Sequence, residues 1–408
     1  MGEHTAHQTS DPFAEAAPTT GADDHRPLDG VRVVELCQWV AGPAAAGILA
    51  DWGAEVIKVE APTGDPQRQV FASVGVEREI PNPAFAQDNR GKRSVVLDLG
   101  DPGDRGRFEA LLARADVFVT NLRPDALGRL DLDPEAVAGR HPTLVIGALS
   151  GYGSKGPARD VPGYDVGAFL SRSGLARTNS PADQPPMVLR SGVGDHVTGM
   201  ATAMGILAAL FERTRTGRGR VVETSLFTTG MYAASWDLSV QKTLGRLSTM
   251  RPRERAQTPL VNAYRSADGK WFNLIGLEAV RHFPGLTRAL ERPDLLADER
   301  FATAGSIYRN AEALIAELDE IFATRPMTEW AARFDEHDVW WAPCQTMAEV
   351  VADPQAEAMD AFVTTSDGRT EIGTVASPAR FDGQVFQPRR PVPSVGQHTA
   401  EVLAELEG

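Results

Sequence analysis

Short apolar runs alternate with amphipathic stretches along the first half of the chain. Runs of β-branched and aliphatic residues predict buried strands, and the segments between them predict helices. The predicted strands lie at 31–36, 55–60, 94–99, 116–120, 144–149 and 220–224. Strands separated by helices in this way indicate βαβ units, and we therefore predict an α/β fold with a mainly parallel sheet. A second strand pair near 261–275, followed by helices, predicts a smaller α+β domain.

Changes in composition divide the chain into five predicted segments. A polar, Ala- and Thr-rich stretch is expected to be a disordered lead, and the basic, irregular stretch near 245–258 separates the two folded parts. The predicted boundaries are 1–27 for the lead, 28–224 for the first part of the large domain, 225–258 for a linker helix and loop, 259–335 for the small domain, and 336–408 for a return to the large domain.

Charge and cysteine content narrow the function classes. The 408 residues carry a formal net charge of -14, which argues against nucleic acid as a partner because phosphate contacts supply most of that affinity. Two isolated cysteines favour a reduced, cytoplasmic location. The longest uncharged run, 197–211, is too short to span a bilayer, so no membrane association is expected. Of the histidines, only His4 and His7 have metal-ligand spacing, and they fall in the lead, so no metal is predicted.

Two segments could bind an anionic ligand. The first strand–helix turn reads Val40-Ala41-Gly42-Pro43 and lacks the dinucleotide fingerprint. Its small residues would let a ligand approach the helix N-terminus; tight packing of the strand against the helix is the simpler alternative. The second segment, 89–94, places Arg90, Lys92 and Arg93 just before a strand. These cations could bind phosphate groups, or the segment could be an ordinary solvated loop. Arg123 and Arg129 are weaker signals of the same kind.

Asp195 is the candidate nucleophile. The sequence Ser191-Gly192-Val193-Gly194-Asp195 leaves little bulk beside the carboxylate, so an acyl group could reach it, and helix amides could stabilise an oxyanion. A plain helix cap is the alternative. Tyr164 and Asp165 place a phenol and a second carboxylate in an irregular segment, where they could take part in the reaction. The alternative is that they belong to an ordinary Pro-Gly turn. His196 would point along a different face of the helix start. The serine-hydrolase elbow is absent.

Taken in order, these pieces resemble the class III CoA-transferase family, which includes formyl-CoA, carnitine and bile-acid CoA-transferases and the α-methylacyl-CoA racemases. The resemblance covers the chain from Leu28 to its C-terminus. Its carriers are 28–33 with Ala41-Gly42-Pro43, 49–60, 89–99, 150–153, 162–165, 217–222 and 396–399. It implies a Rossmann-like large domain that binds coenzyme A, a small middle domain, and an interlocked homodimer.

The resemblance also assigns residues. It implies that Asp195 is the catalytic aspartate and that Asp165 is a second important acid, with Tyr164 beside it. It also implies which residues contact CoA. These are Val40, Ala41, Asn89, Lys92, Arg93, Arg129 and Tyr164. The expected reaction moves CoA from an acyl-CoA to a carboxylic acid through an aspartyl anhydride and an aspartyl-CoA thioester, with Asp165 and Tyr164 orienting groups.

Departures from the family pattern leave alternatives open. Tyr164 stands where the racemases have a histidine base, and a phenol of pKa about 10 is a poor replacement, although Glu278 matches a racemase acid. Val40 stands at the glutamine position of formyl-CoA transferase, whose glycine-rich loop is missing, so formyl-CoA and oxalate are not expected. A racemase and a non-catalytic acyl-CoA-binding protein remain alternatives. Arg251, Arg253 and Arg255 could meet a second substrate carboxylate or form a solvated loop.

Overall fold

The computed structural model describes residues 25–75 and 80–407. The predicted disordered lead at 1–27 lies outside the described residues except for its last three positions. His4 and His7 also lie outside the described residues, so the structure does not test the prediction made for them.

A six-stranded sheet organises the first half of the chain. All its pairings are parallel, in the order β3-β2-β1-β4-β5-β6, which confirms the predicted parallel sheet. The strands are β1 Arg32–Leu36, β2 Glu55–Glu60, β3 Arg93–Val96, β4 Val117–Thr120, β5 Val145–Ser150 and β6 Val221–Ser225. Most of their side chains are buried because helices cover both faces, which explains the continuous apolar runs in the sequence.

Helices connect these strands and fill the second half of the chain. Many begin at a proline, whose missing N–H costs nothing in the first turn. Their bounds are α1 Ala41–Asp51, α2 Val70–Ser73, α3 Pro83–Asn89, α4 Pro102–Ala113, α5 Pro124–Arg129, α6 Pro134–Arg140, α7 Leu175–Thr178, α8 Val193–Thr216, α9 Leu226–Ala233, α10 Ser235–Leu244, α11 Ala279–Ala289, α12 Asp294–Ala297, α13 Ala304–Arg309, α14 Ala311–Phe322, α15 Met327–Glu336, α16 Met347–Val351, α17 Pro354–Ala358 and α18 Thr399–Glu407.

Helix α8 packs closely on α1 and on the sheet. A Cβ atom at Gly199 would lie 3.0 Å from the carbonyl oxygen of Ala41, and one at Gly147 of β5 would lie 2.7 Å from Ile206 Cδ1. These glycines therefore allow the backbones to approach. Within the described residues, α8 is the one helix whose length and composition would suffice to cross a membrane; one of its faces packs against α1 and β5.

A three-stranded antiparallel sheet forms the second β structure. It consists of β7 Ala263–Arg265, β8 Trp271–Leu274 and β9 Trp341–Pro343. Aromatic side chains, including Phe272, Phe322 and Trp330, form a core of their own beside it. Because β9 pairs with β8, this sheet extends past the predicted boundary at residue 336. The predicted domain boundaries otherwise remain predictions.

The C-terminal segment returns to the large sheet, after a separate hairpin of β10 Phe362–Ser366 and β11 Glu371–Val375. The amide of Ser94 donates to the ring nitrogen Nδ1 of His398, 3.1 Å away, and Thr399 Oγ1 accepts from the Val96 amide at 3.0 Å. Val402 of α18 joins the core that covers one face of the large sheet. Residues more than 300 positions apart in the chain thus share one hydrophobic core.

Candidate active site

The large sheet has a topological switch point between β1 and β4. The chain continues outward in opposite directions from these two strands, so the loops at their carboxyl ends separate and leave a crevice. Two reciprocal hydrogen bonds hold the crevice together: the Gln38 amide donates to Asn121 Oδ1 at 2.9 Å, and Asn121 Nδ2 donates to the Gln38 carbonyl at 2.6 Å. Ligands of doubly wound α/β proteins bind at such a crevice.

A cavity of about 530 Å³ opens at this place. Asp195 and Tyr164 line it, together with Ala41 at the start of α1. A second cavity of about 230 Å³ borders the carboxyl ends of β1 and β2, next to Gly64 and Gly100. The two cavities share Gln38 and Leu122 as lining residues. The two cavities are therefore neighbours along the carboxyl edge of the sheet.

Asp195 lies in the first turn of α8, directly beside the larger cavity. Gly192 before the helix has a φ of 96°, in the region that favours glycine. A Cβ atom at Gly194 would lie 2.6 Å from the ring of Phe169, so that position has no room for a side chain. The glycines therefore have two structural roles: they allow the turn, and they let the helix start approach Phe169.

Burial, together with the neighbouring carboxylates of Asp165 and Asp88, raises the pKa of Asp195 to about 7, while His196 opposes the shift. No group in the described part of the chain donates a hydrogen bond to this carboxylate. A carboxylate that is partly desolvated and free of donors is a better nucleophile than a solvated one. Strongly shifted pKa values beside a cavity are typical of functional groups.

Asp165 faces the backbone rather than the cavity. One carboxylate oxygen accepts from the Val166 amide and the other from the Gly192 amide, both at 2.8 Å. Its side chain is buried, and it does not line the cavity. The structure thus brings Asp165 close to Asp195 as a group that holds the turn before α8.

Tyr164 is 64% exposed and lines the cavity. Its ring meets the ring of Trp39 edge to face, with the centroids 6.1 Å apart. Trp39, which has a φ of 66°, was missed by the sequence interpretation; a large aromatic residue directly after β1 and before Ala-Gly-Pro was the available signal. Val40 caps α1, and only Ala41 of the predicted pair at this turn lines the cavity.

Lys92 and Asn89 are fully buried below α1. Lys92 Nζ lies 2.6 Å from Glu35 Oε2 and donates to the carbonyl of Pro43 at 2.9 Å and to Asn89 Oδ1 at 3.1 Å. Lys58 binds the other oxygen of Glu35 at 2.9 Å. In this arrangement, the ammonium group of Lys92 is directed to Glu35 and the start of α1, and its predicted contact with CoA stays a prediction.

Arg93 lies at the amino-terminal edge of the sheet, where β3 begins, whereas the cavities lie at the carboxyl edge. Its guanidinium contacts three glutamates: Glu55, Glu401 at 3.0 Å and Glu405 at 2.6 Å. The structure does not bring Arg93 together with Asp195. Nothing in this placement supports the predicted CoA contact.

Three arginines lie on or close to the elements that form the cavity wall: Arg123, Arg129 and Arg159. Arg123 and Arg159 line it directly. Arg129 lies at the end of α5, two-thirds exposed and 3.2 Å from Asp125, while Pro124 and Ala126 of the same helix line the cavity. In the sequence, Arg123 was only a weak signal, and Arg159 gave none because it lies in an irregular segment without a recognisable motif.

Two further predicted features lie elsewhere. Glu278 is exposed beside Arg281 and does not line the Asp195 cavity. Arg253 of the basic loop binds Asp319 and the carbonyl of Ala263. In residues 25–75 and 80–407, no group of three or more His, Cys, Asp or Glu side chains could hold a metal.

Comparison with known proteins identifies the family. The model of CoA-transferase family III matches residues 28–399. The chain is 33% identical to (R)-2-hydroxy-4-methylpentanoate CoA-transferase of Clostridioides difficile, over 93% of this chain and 95% of that protein. It is 31% identical to cinnamoyl-CoA:phenyllactate CoA-transferase of Clostridium sporogenes, over 93% of each. A solved CAIB/BAIF family protein from Brucella suis superposes with a TM-score of 0.82 at 29% identity, covering 94% of this chain and 100% of that structure. The chain therefore belongs to CoA-transferase family III.

Proposed function

We propose that this protein moves CoA from an acyl-CoA thioester to a carboxylic acid and that Asp195 is the nucleophile. The observation that carries the proposal is the position of Asp195. It is a desolvated carboxylate without a hydrogen-bond donor among the described residues, its pKa is raised to about 7, and it faces the cavity at the switch point.

The proposed reaction proceeds by four acyl transfers. A carboxylate oxygen of Asp195 attacks the thioester carbonyl carbon, the C–S bond breaks, and CoA leaves as a thiolate from the mixed anhydride. The thiolate attacks the aspartyl carbonyl carbon, which releases the donor acid as a carboxylate and leaves an aspartyl-CoA thioester. An acceptor carboxylate displaces the thiolate to form a second anhydride, and the thiolate then attacks the acceptor acyl carbon and restores Asp195.

Backbone amides support these steps. The amides of Val193, Gly194 and Asp195 lie in the first turn of α8, where no intrahelical acceptor exists. We propose that they stabilise the negative charge that develops on the attacked carbonyl oxygen, because fixed donors of this kind stabilise oxyanions. Asp165 holds this turn through the Gly192 amide, and Tyr164 orients the substrate from the cavity wall. Neither needs to exchange a proton with the substrate.

The exposed guanidinium groups of Arg123 and Arg159 favour an anionic ligand in the cavity. We propose that they meet the phosphates of CoA or the carboxylate of the acceptor, with Arg129 as a further cation at the rim. The predicted contacts of Val40, Ala41, Asn89, Lys92 and Arg93 with CoA belong to the same proposal; only Ala41 among them lines the cavity.

We also propose that the functional unit is a homodimer. Large apolar side chains are exposed on neighbouring helices: Met204 and Phe211 of α8, Tyr232 of α9 and Trp236 of α10 are between 67% and 83% exposed. Apolar patches of this kind mark interaction sites, and a second copy of the chain is the partner that the family implies. Measurement of the molecular mass in solution tests this point.

The decisive experiment traps the covalent intermediate. Incubation with an acyl-CoA and hydroxylamine should convert Asp195 into a hydroxamate that mass spectrometry detects, because hydroxylamine cleaves aspartyl anhydrides and thioesters. Asp294, an exposed aspartate paired with Arg292, serves as the matched control and should stay unmodified. Unmodified Asp195 during turnover would contradict the mechanism. Exchange of the C2 hydrogen with solvent deuterium, without an acceptor acid, would instead indicate a racemase.

A further inference from the structure

The backbone of Gly192, three residues before Asp195, is bonded on both sides. Its amide donates to Asp165 Oδ2 at 2.8 Å. Its carbonyl oxygen lies 2.7 Å from Nδ1 of His196 and also accepts the His196 amide at 2.9 Å. Gly192 leads directly into α8, so these bonds fix the direction in which the first turn of the helix presents Asp195.

The partners of His196 define its protonation state. Its second ring nitrogen, Nε2, lies 3.0 Å from Asp88 Oδ1. A carbonyl oxygen and a carboxylate oxygen can only accept, so both ring nitrogens must carry a proton. The ring is therefore an imidazolium. The hydrogen bond to Asp88 raises the pKa of His196 to about 9, against the effect of burial.

Asp88 is well placed to hold this ring. Its side chain is buried at the end of α3, and its other oxygen accepts from Gln67 Nε2 at 3.3 Å. The His196 side chain is 45% exposed and lines a separate, mainly apolar cavity of about 320 Å³, which the ion pair of Asp51 and Arg90 also lines. His196 does not line the cavity beside Asp195, so we assign it a role through Asp195 rather than a contact with the acyl carbon.

The positive charge of His196 affects the ionisation of Asp195. Asp165 and Asp88 both disfavour ionisation of Asp195, and His196 is the neighbouring cation that favours it. The Asp51–Arg90 pair is internally neutralised at 2.7 Å. Removal of the imidazolium charge would therefore leave Asp195 among carboxylates only, and a protonated Asp195 cannot attack a thioester.

We propose that His196, held by Asp88, is a positioning residue for Asp195. It fixes the Gly192 peptide group and supplies a positive charge that favours the ionised form of the nucleophile. This inference rests on the proposed function, because it concerns the same carboxylate, and it adds two residues that no sequence motif identifies: Asp88 and His196 are 108 positions apart.

The test compares pH profiles of kcat/KM for wild type, His196→Gln and Asp88→Asn. Loss of the cation should move the acidic limb of the His196→Gln profile upward by about one pH unit and lower kcat roughly tenfold. Asp88→Asn should lower kcat similarly with a smaller shift of the limb, because it removes an anion from both His196 and Asp195. An unchanged limb with unchanged kcat in His196→Gln would overturn the proposal.

His141→Gln is the matched control. His141 Nε2 also contacts a carboxylate at 3.0 Å, that of Glu109, on the surface between α4 and α6. We expect its profile to follow wild type. A purely structural role of His196 would lower kcat at all pH values without moving the limb, and this result would also contradict the charge part of the proposal.

A second measurement does not depend on the folding of variants. Histidine ring NMR of the wild-type protein should show His196 doubly protonated at about pH 8; a neutral ring at that pH would refute the inference. The two proposals fail separately. Turnover in Asp195→Ala refutes the proposed function, whereas trapping of Asp195 with an unaffected His196→Gln refutes the positioning role alone.

Discussion

Asp195 and Glu35 are two carboxylates in the first half of the chain whose pKa values are shifted in opposite directions. Burial acts on both in the same direction and raises the pKa. At Glu35, however, Lys58 and Lys92 more than offset burial, and its pKa falls below the ordinary value. At Asp195, burial and two like charges act together against one histidine, and the pKa reaches about 7. The difference therefore lies in the partners.

This comparison separates a reactive carboxylate from a structural one. The Glu35 oxygens lie 2.9 Å and 2.6 Å from two lysine ammonium groups and are inaccessible. Such a group holds β1, β2 and the start of α1 together, and its burial keeps a substrate from reaching it. Asp195, by contrast, has a carboxylate without a hydrogen-bond donor among the described residues and lies beside the cavity. Burial of this charge lowers the stability of the folded protein.

The largest expected effect is the loss of turnover in Asp195→Ala. Removal of the nucleophile should lower kcat roughly 10³-fold or more, measured as CoA transfer between an acyl-CoA and added carboxylic acids. Asp294→Asn controls for the loss of an aspartate elsewhere and should retain activity. Turnover of Asp195→Ala within a few-fold of wild type would remove the distinction between the two carboxylates.

Glu35→Gln should mainly affect stability. The change leaves two buried ammonium groups without their shared anion, and breaking a buried ion pair in this way costs about 3–5 kcal/mol. Urea unfolding measures the free energy of unfolding. Glu109→Gln is the matched control: Glu109 also binds two cations, Arg105 and Arg140, but in a partly exposed position, where about 1 kcal/mol or less is expected. Equal losses in the two variants would show that burial of Glu35 does not matter.

Asp195→Asn should stabilise the protein above neutral pH. The folded-state pKa of about 7 lies above the ordinary value of 3.8, so the folded state binds more protons between these values. Ionisation of Asp195 therefore reduces stability as the pH rises from about 4 to 7. An uncharged asparagine avoids this loss. We expect a gain of about 1–3 kcal/mol at about pH 8 that vanishes near pH 4, measured by urea unfolding; a gain independent of pH would contradict the shifted pKa.

Much of the site could be predicted locally. Asp195 follows two glycines at the start of a long apolar helix, and the structure places it beside the cavity at the switch point. Tyr164 and Asp165 also lie nearby, but the two have different surroundings: the tyrosine lines the cavity, and the aspartate binds backbone amides. Adjacent residues can face opposite directions, and the sequence alone does not decide which one faces the ligand.

The basic segment before β3 shows the limit of such prediction. A run of cations indicates a potential phosphate clamp, but the partners of each cation come from distant parts of the chain. Lys92 meets Glu35, and Arg93 meets Glu401 and Glu405. The predicted boundary at residue 336 has the same weakness, since β9 pairs with β8 after an intervening run of helices.

The order of buried strands and helices, and the glycine-led aspartate before α8, follow from the sequence itself, because periodicity, turn residues and helix-start signals are local. The tertiary structure decided which charges neutralise each other. It turned Lys92 toward Glu35 and joined His196 to Asp88, and it left Asp195 without a donor among the described residues. Electrostatic interactions depend on distance in space and on burial, and neither quantity is encoded in any short stretch of residues.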